Sequence, residues 1–261
     1  MTELLQRTVH SMAMPFRVSV ETADAAAAHR AMDAFHRELE WADAVFSLWR
    51  EDSAVSQFNR GEIAVDEGPP ELLEVLQACE WYRGLTEGAF DARGTVGIDP
   101  TGLVKGWAVA RASAALEALG APWMVDASGD VVVSGPRADG SLWRVGIADP
   151  LVHGDPQGHE VVDVVDLGGK YLALATSGQS QRGGHIWDPA TGEAAAHSLQ
   201  VSVVAEGLVE ADVWATAIAA RGNPALQLAA SAGLEVLVVT RTRGKGLFDS
   251  MATEGWPSAL G

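Results

Sequence analysis

Cysteine is almost missing from this chain. The single residue, Cys79, excludes an intrachain disulfide framework across all 261 positions. Its setting, between Ala78 and Glu80 in a run that reads as helix, makes it a small buried hydrophobe rather than a reactive thiol. Positive charge is also scarce. The 18 Lys and Arg stand against 35 Asp and Glu, a formal net charge of −17. That balance argues against a nucleic-acid backbone or an anionic membrane as the main partner. Any anionic ligand would then need a metal, backbone amides or a helix N-terminus to meet it. Long apolar runs are absent too. Residues 1–15 are polar, with no apolar signal core and no lipid-attachment cysteine, and no stretch reads as a membrane span. The expectation is a cytoplasmic protein with no membrane insertion.

What is present is a large apolar fraction, 48% of the residues. It excludes disorder as the default. The length suits a single domain over 1–261, with room for two intimate subdomains. The nine tryptophans are scattered, which is the usual pattern of core aromatics.

Residues 16–20 alternate and read as a strand. A long Ala-rich helix follows to about Phe46, with Asp24 as its N-cap. An irregular segment ends at Gly68, Pro69 and Pro70. Residues 71–84 form a helix, with Leu72, Leu73, Leu76, Cys79 and Trp81 or Tyr82 inward. Residues 88–103 are glycine-rich and turn-like. A helix runs over 104–119 and closes at Gly120. Strands then follow near 123–126, 130–133, 142–147, 160–167, 171–175 and 199–204. Helices cover 211–220 and 224–231, and a last strand covers 234–240. The final twenty residues read as loop or tail. Strand runs mixed with separated helices indicate an α+β fold.

Several stations carry chemistry. Ala175, Thr176, Ser177 and Gly178 form a small-residue turn after a strand, where successive amides could cradle a phosphate. Taken alone, they equally end a strand. His185 precedes Ile186, Trp187 and the turn Asp188-Pro-Ala-Thr191-Gly192. An imidazole titrating near neutrality suits a general base. Asp212 and Thr216 are four residues apart, on one face of a helix. A carboxylate and a hydroxyl are hard oxygen donors that suit Mg²⁺. The structural alternative is a helix-terminal Asp and a Thr turned onto its own helix. Asp99 leads into a helix whose first turn holds Lys105, a cation unfavourable to the helix dipole. Asp126 to Asp130 reads on its own as a hairpin turn.

The order of these stations resembles the ApbE-type flavin transferases, over most of the chain. Upstream, Met12 to Pro15 resembles that family's Met-Gly-Thr opening, with Ala13 in place of the glycine. Residues 46–59 resemble its Tyr-x-x-Asp-Ser-x-x-Ser-x-x-Asn segment, with Trp49 at the aromatic position. Gly88, Ala89, Phe90 and Asp91 resemble the next station, and residues 126–130 its Asn-x-Gly-Gly-Asp, with Ser128 replacing the first of the two glycines. An insertion that relatives carry before Asp99 is nearly absent.

The resemblance implies an α+β fold of mixed, largely antiparallel sheets with packed helices, T-fold-like. It implies a transferase that cleaves FAD with Mg²⁺, releases AMP and attaches FMN to a Thr or Ser hydroxyl of an acceptor protein. Residues implied at the FAD site are Met12, Trp49, Ala89, Phe90, Asp91, Asp99, Lys105, Thr176, Ser177, Gly178 and Ile186. Those implied at the metal are the Gly102 carbonyl, Asp212 and Thr216. His185 is the implied base. Rival readings are FAD pyrophosphatase activity, with water as the acceptor, and a non-catalytic FAD-binding protein.

Overall fold

The computed structural model describes residues 2–94, 97–151, 160–178, 187–195, 198–241 and 248–260. Strands β1 (Glu3–Ser11) and β2 (Met14–Thr22) pair from Glu3↔Thr22 to Ser11↔Met14. Only Met12 and Ala13 are left for the turn, and both have positive φ, 50° and 57°. That is the left-handed two-residue loop that matches strand twist. Asp24 caps helix α1 (Ala25–Phe46), its carboxylate accepting the Ala27 amide at 2.8 Å. The segment expected to be irregular contains a short helix α2 (Ala54–Asn59), capped by the Ser53 hydroxyl. Helix α3 (Pro70–Leu85) buries Leu72, Val75 and Cys79, but Leu73 and Trp81 face solvent, against the expected inward stripe.

Two short strands, β3 (Arg93–Gly94) and β4 (Gly97–Ile98), precede helix α4 (Thr101–Glu117). That helix starts three residues earlier than expected, because Asp99 accepts the Thr101 amide at 3.0 Å and ties down its first turn. Strands β5 (Trp123–Ala127) and β6 (Asp130–Val133) form a second tight hairpin. Strands β7 (Trp143–Ala148) and β8 (Val161–Leu167) pair antiparallel in a sheet of their own. Strands β9 (Ala173–Gly178) and β10 (Gln200–Ala205), helices α5 (Leu208–Arg221) and α6 (Asn223–Ser231), and strands β11 (Glu235–Arg241) and β12 (Phe248–Ala252) complete the order.

The main sheet has eight strands in the order β1-β2-β5-β6-β9-β10-β11-β12, every neighbour antiparallel. Its central strands are covered on both faces. Ala173, Ala175, Val201, Val203, Val236 and Val238 point into one core, with α1, α4 and α5. Leu174, Val204 and Leu237, alternating with them, point into a second core against the β7–β8 pair. Period-2 alternation therefore reads as continuous apolar sequence here, since both faces are dry. The fold is α+β with antiparallel sheets and packed helices, as the sequence indicated.

The C-terminal stretch is not a tail. β12 pairs with β11. Beyond it, Trp256 Nε1 donates to Asp163 Oδ2 at 2.8 Å and the Ala259 amide to the Val164 carbonyl at 2.7 Å. The chain end is thus sewn onto β8. Among the described residues, no helix is long and apolar enough to cross a membrane.

Candidate active-site cleft

The two tight hairpins bring their tips together. Ser128 and Gly129 turn β5 into β6 with φ of 56° and 99°, and Ser128 Oγ donates to the Pro15 carbonyl at 3.0 Å, at the tip of β1–β2. Ala13 and Ser128 stand where glycine was expected from the resemblance. Each adopts the left-handed conformation that glycine would take freely, at a cost of roughly 1–2 kcal/mol. The backbone route is kept although the glycines are not.

These tips form one wall of a cleft of about 730 Å³. The loop after α1 supplies Trp49, whose indole is 95% exposed. Just beyond α3, Glu87 and Gly88 turn the chain at positive φ, and Phe90 is fixed there by its amide, which donates to Thr86 Oγ1 at 3.0 Å. Arg221, at the end of α5, donates to the Glu87 and Gly88 carbonyls at 2.9 and 3.0 Å. The loop carrying Ala89, Phe90 and Asp91 is thereby tied to α5. Asp91 itself is gripped by the Arg93 guanidinium, at 2.7 and 2.9 Å.

Thr176, Ser177 and Gly178 are not a turn. They continue β9 and pair with Ser202, Val201 and Gln200 of β10. Their other edge faces the cleft, because the β6–β9 ladder stops at Val131↔Leu174. A Cβ on Gly178 would lie 2.5 Å from the Leu199 carbonyl oxygen, so close approach of β10, not of a ligand, requires glycine there.

Helices α4 and α5 cross at Gly106, where an added Cβ would meet Val209 Cα at 3.0 Å. This contact places Gly102 and Lys105 of α4 opposite Asp212 and Thr216 of α5. A Cβ on Gly102 would lie 3.7 Å from Thr216 Oγ1, and Ser177 Oγ is 3.3 Å from the same hydroxyl. Lys105 Nζ pairs with Asp130 and lies 3.6 Å from Asp212 Oδ1. Asp212 is 3% exposed, and its Oδ2 has no hydrogen-bond partner among the described residues. Burial pushes the Asp212 carboxyl up to about 7, against the pull of the Lys105 ammonium, with the Asp130 charge adding to the rise.

The described residues implied at the FAD and metal sites all line this cleft: Met12, Trp49, Ala89, Phe90, Asp91, Asp99, Gly102, Lys105, Thr176, Ser177, Gly178, Asp212 and Thr216. His185 and Ile186 lie outside the described residues. Asp188 also accepts the Ala190 amide at 2.9 Å and stands 3.6 Å from Arg221, so the Asp-Pro-Ala-Thr-Gly stretch closes a hairpin locked to α5. Sequence reasoning missed the burial of Asp130 and the place of Asp43 and Arg50 on the cleft wall. Among the described residues, no group of three or more His, Cys, Asp or Glu could hold a metal. The orphaned Asp212 oxygen, the Thr216 hydroxyl and the backbone near Gly102 form a sparser, all-oxygen donor set. Such a set fits a cation that keeps several places for phosphate and water, as Mg²⁺ does.

The fold has close counterparts. It matches the apo form of the flavinyl transferase ApbE of Pseudomonas stutzeri with a TM-score of 0.80 and 21% identity, over 97% of this chain and 95% of that one. It matches the flavin transferase ApbE of Vibrio cholerae with a TM-score of 0.79 and 21% identity, over 98% and 99%. The ApbE family model matches residues 12–97 and 92–238. The chain belongs to the ApbE family. A relative from Klebsiella pneumoniae (strain 342), named FAD:protein FMN transferase, is 31% identical over 134 residues. That match spans 48% of this chain and 36% of the relative, so the chain matches little more than a third of the relative's length.

Proposed function

We propose that this protein is a Mg²⁺-dependent FAD:protein FMN transferase. It takes FAD, joins the FMN half to a Thr or Ser hydroxyl of an acceptor protein, and releases AMP. One observation carries the reading. Residues from six separate stretches of sequence, chosen for this chemistry, converge on one cleft whose floor holds a buried carboxylate with an unpartnered oxygen. The name of the Klebsiella relative supports the same activity.

The acceptor oxygen bonds to the phosphorus of the FMN half. The bond from that phosphorus to the bridging oxygen breaks, and AMP leaves with the electron pair. The hydroxyl proton passes to His185, the base we assign from its motif. Asp212, Thr216 and the Gly102 carbonyl would hold Mg²⁺, which supplies neutralisation of the charge that develops on the leaving phosphate. The exposed indole of Trp49 offers a face on which the flavin stacks. Hydrolysis is the competing outcome, since water attacks the same phosphorus.

The test is chromatography of FAD turnover with and without a Thr-containing acceptor. The account expects AMP that depends on Mg²⁺, is abolished by a chelator, and rises with acceptor without matching free FMN. AMP accompanied by equal free FMN, whatever the acceptor, would identify a pyrophosphatase. Bound FAD with no AMP would identify a binding protein.

A further inference from the structure

Two buried carboxylates and a partly buried lysine, from three elements, meet at the cleft floor. Asp130 opens β6 and is 1% exposed. Lys105 rises from α4, and Asp212 sits on α5. Lys105 Nζ touches Asp130 Oδ2 and is 3.6 Å from Asp212 Oδ1, so the Asp130 contact is the closer of the two. The second Asp130 oxygen, Oδ1, accepts the Thr176 amide at 2.9 Å. That bond lies beyond the end of the β6–β9 ladder at Val131↔Leu174. The carboxylate therefore takes the place of the next ladder acceptor and fixes the strand end that carries Ser177.

A partly buried ammonium facing a single buried carboxylate would pair with it closely, because that carboxylate has no water to turn to. Here a second carboxylate holds the ammonium from the other side. Asp212 Oδ2 stays without a hydrogen-bond partner among the described residues. We propose that Asp130 is a positioning residue: it anchors the Lys105 ammonium away from Asp212 Oδ2 and so keeps that oxygen open for a divalent cation. The inference rests on reading Asp212 as a cation ligand. It explains why the cleft tolerates a lysine beside that ligand. With both carboxylates ionised, the three groups together keep one net negative charge; without Asp130 the ammonium would cancel the Asp212 charge outright and compete with the cation.

Asp130→Asn tests this directly. The Asn carbonyl still accepts the Thr176 amide, so the fold is expected to hold, and a melting curve checks it. Mn²⁺ binding, followed by electron paramagnetic resonance with no FAD present, is the readout. Asp130→Asn is expected to bind Mn²⁺ about 10-fold to 100-fold more weakly than wild type, the scale seen when a partner of a metal ligand is lost. The double variant Asp130→Asn/Lys105→Met, with the competing ammonium gone, is expected to recover to within about 3-fold of wild type, a small residue beside that loss. If Asp130→Asn alone melts early, the double variant carries the test, since the exchange leaves no lysine unpaired. Wild-type Mn²⁺ affinity in Asp130→Asn, or no recovery in the double variant, overturns the role of Asp130. Absence of saturable Mn²⁺ binding in the wild type would instead overturn the cation reading of Asp212 itself.

Discussion

Ser177 on β9 and Thr216 on α5 bring their hydroxyl oxygens to 3.3 Å across 39 residues of sequence. The strand end and the helix face meet there beside Asp212, one turn earlier on α5. Neither hydroxyl is needed to fill the core, because both side chains are only partly buried. Their placement would suit a ligand that uses oxygen donors.

Thr216→Val removes the hydroxyl and keeps the shape. Mg²⁺ activation of FAD turnover is expected to weaken by about 10-fold to 100-fold, since even outer partners of metal ligands produce losses on that scale. Titration of AMP release against Mg²⁺ checks it. An unchanged Mg²⁺ dependence would remove Thr216 from the donor set.

Gly106→Ala tests how α4 is held against α5. The new methyl would press on Val209 Cα at 3.0 Å and on the Leu208 carbonyl at 3.1 Å, which are backbone atoms that cannot swing aside. Overpacking of this kind costs about 1–3 kcal/mol. Thermal unfolding is expected several degrees lower, with FAD turnover falling as Lys105 and Asp212 separate. A melting temperature equal to wild type contradicts the crossing.

Cys79 is 5% exposed on α3, and burial pushes its thiol up to about 12. The thiolate is the reactive form, and below that pH it is the minor one. In the native protein at pH 8, a thiol reagent is expected to label it far more slowly than in urea. Immediate stoichiometric labelling without denaturant would show that α3 does not bury this face.

Trp49→Ala separates binding from folding. An indole that is 95% exposed contributes little packing, so stability is expected to stay within about 0.5 kcal/mol. The KM for FAD is expected to rise about 2- to 10-fold, the worth of an aromatic stacking contact. Unfolding curves and initial rates read the two effects separately, and a lowered melting temperature with normal KM would reverse the assignment.

The long helices and the central strands were legible because burial imposes a period on their sequence. α1 shows apolar spacing and an Asp cap; β9 to β11 show apolar runs that two dry faces require. The misses lie where burial is weak. β1 is an edge strand with Val9 its one buried residue, and β12 is largely exposed, so neither carries apolar alternation. α2 is six residues long, too short to show a period. At the site, residue identities were legible and partnerships were not. Asp130 reads as the end of a turn, yet its burial is created by Lys105, 25 positions earlier, and by Thr176, 46 positions later. Asp188 reads as the start of a turn, which the structure has, but its ion pair with Arg221, 33 positions later, is not legible.

The most direct test of the central claim is the intact mass of a purified Thr-containing acceptor after incubation with this protein, FAD and Mg²⁺. The account predicts a gain equal to one FMN phosphoryl group, mapped to a Thr or Ser hydroxyl and lost when Mg²⁺ is chelated. An acceptor of unchanged mass while FAD is converted to free FMN and AMP would contradict it.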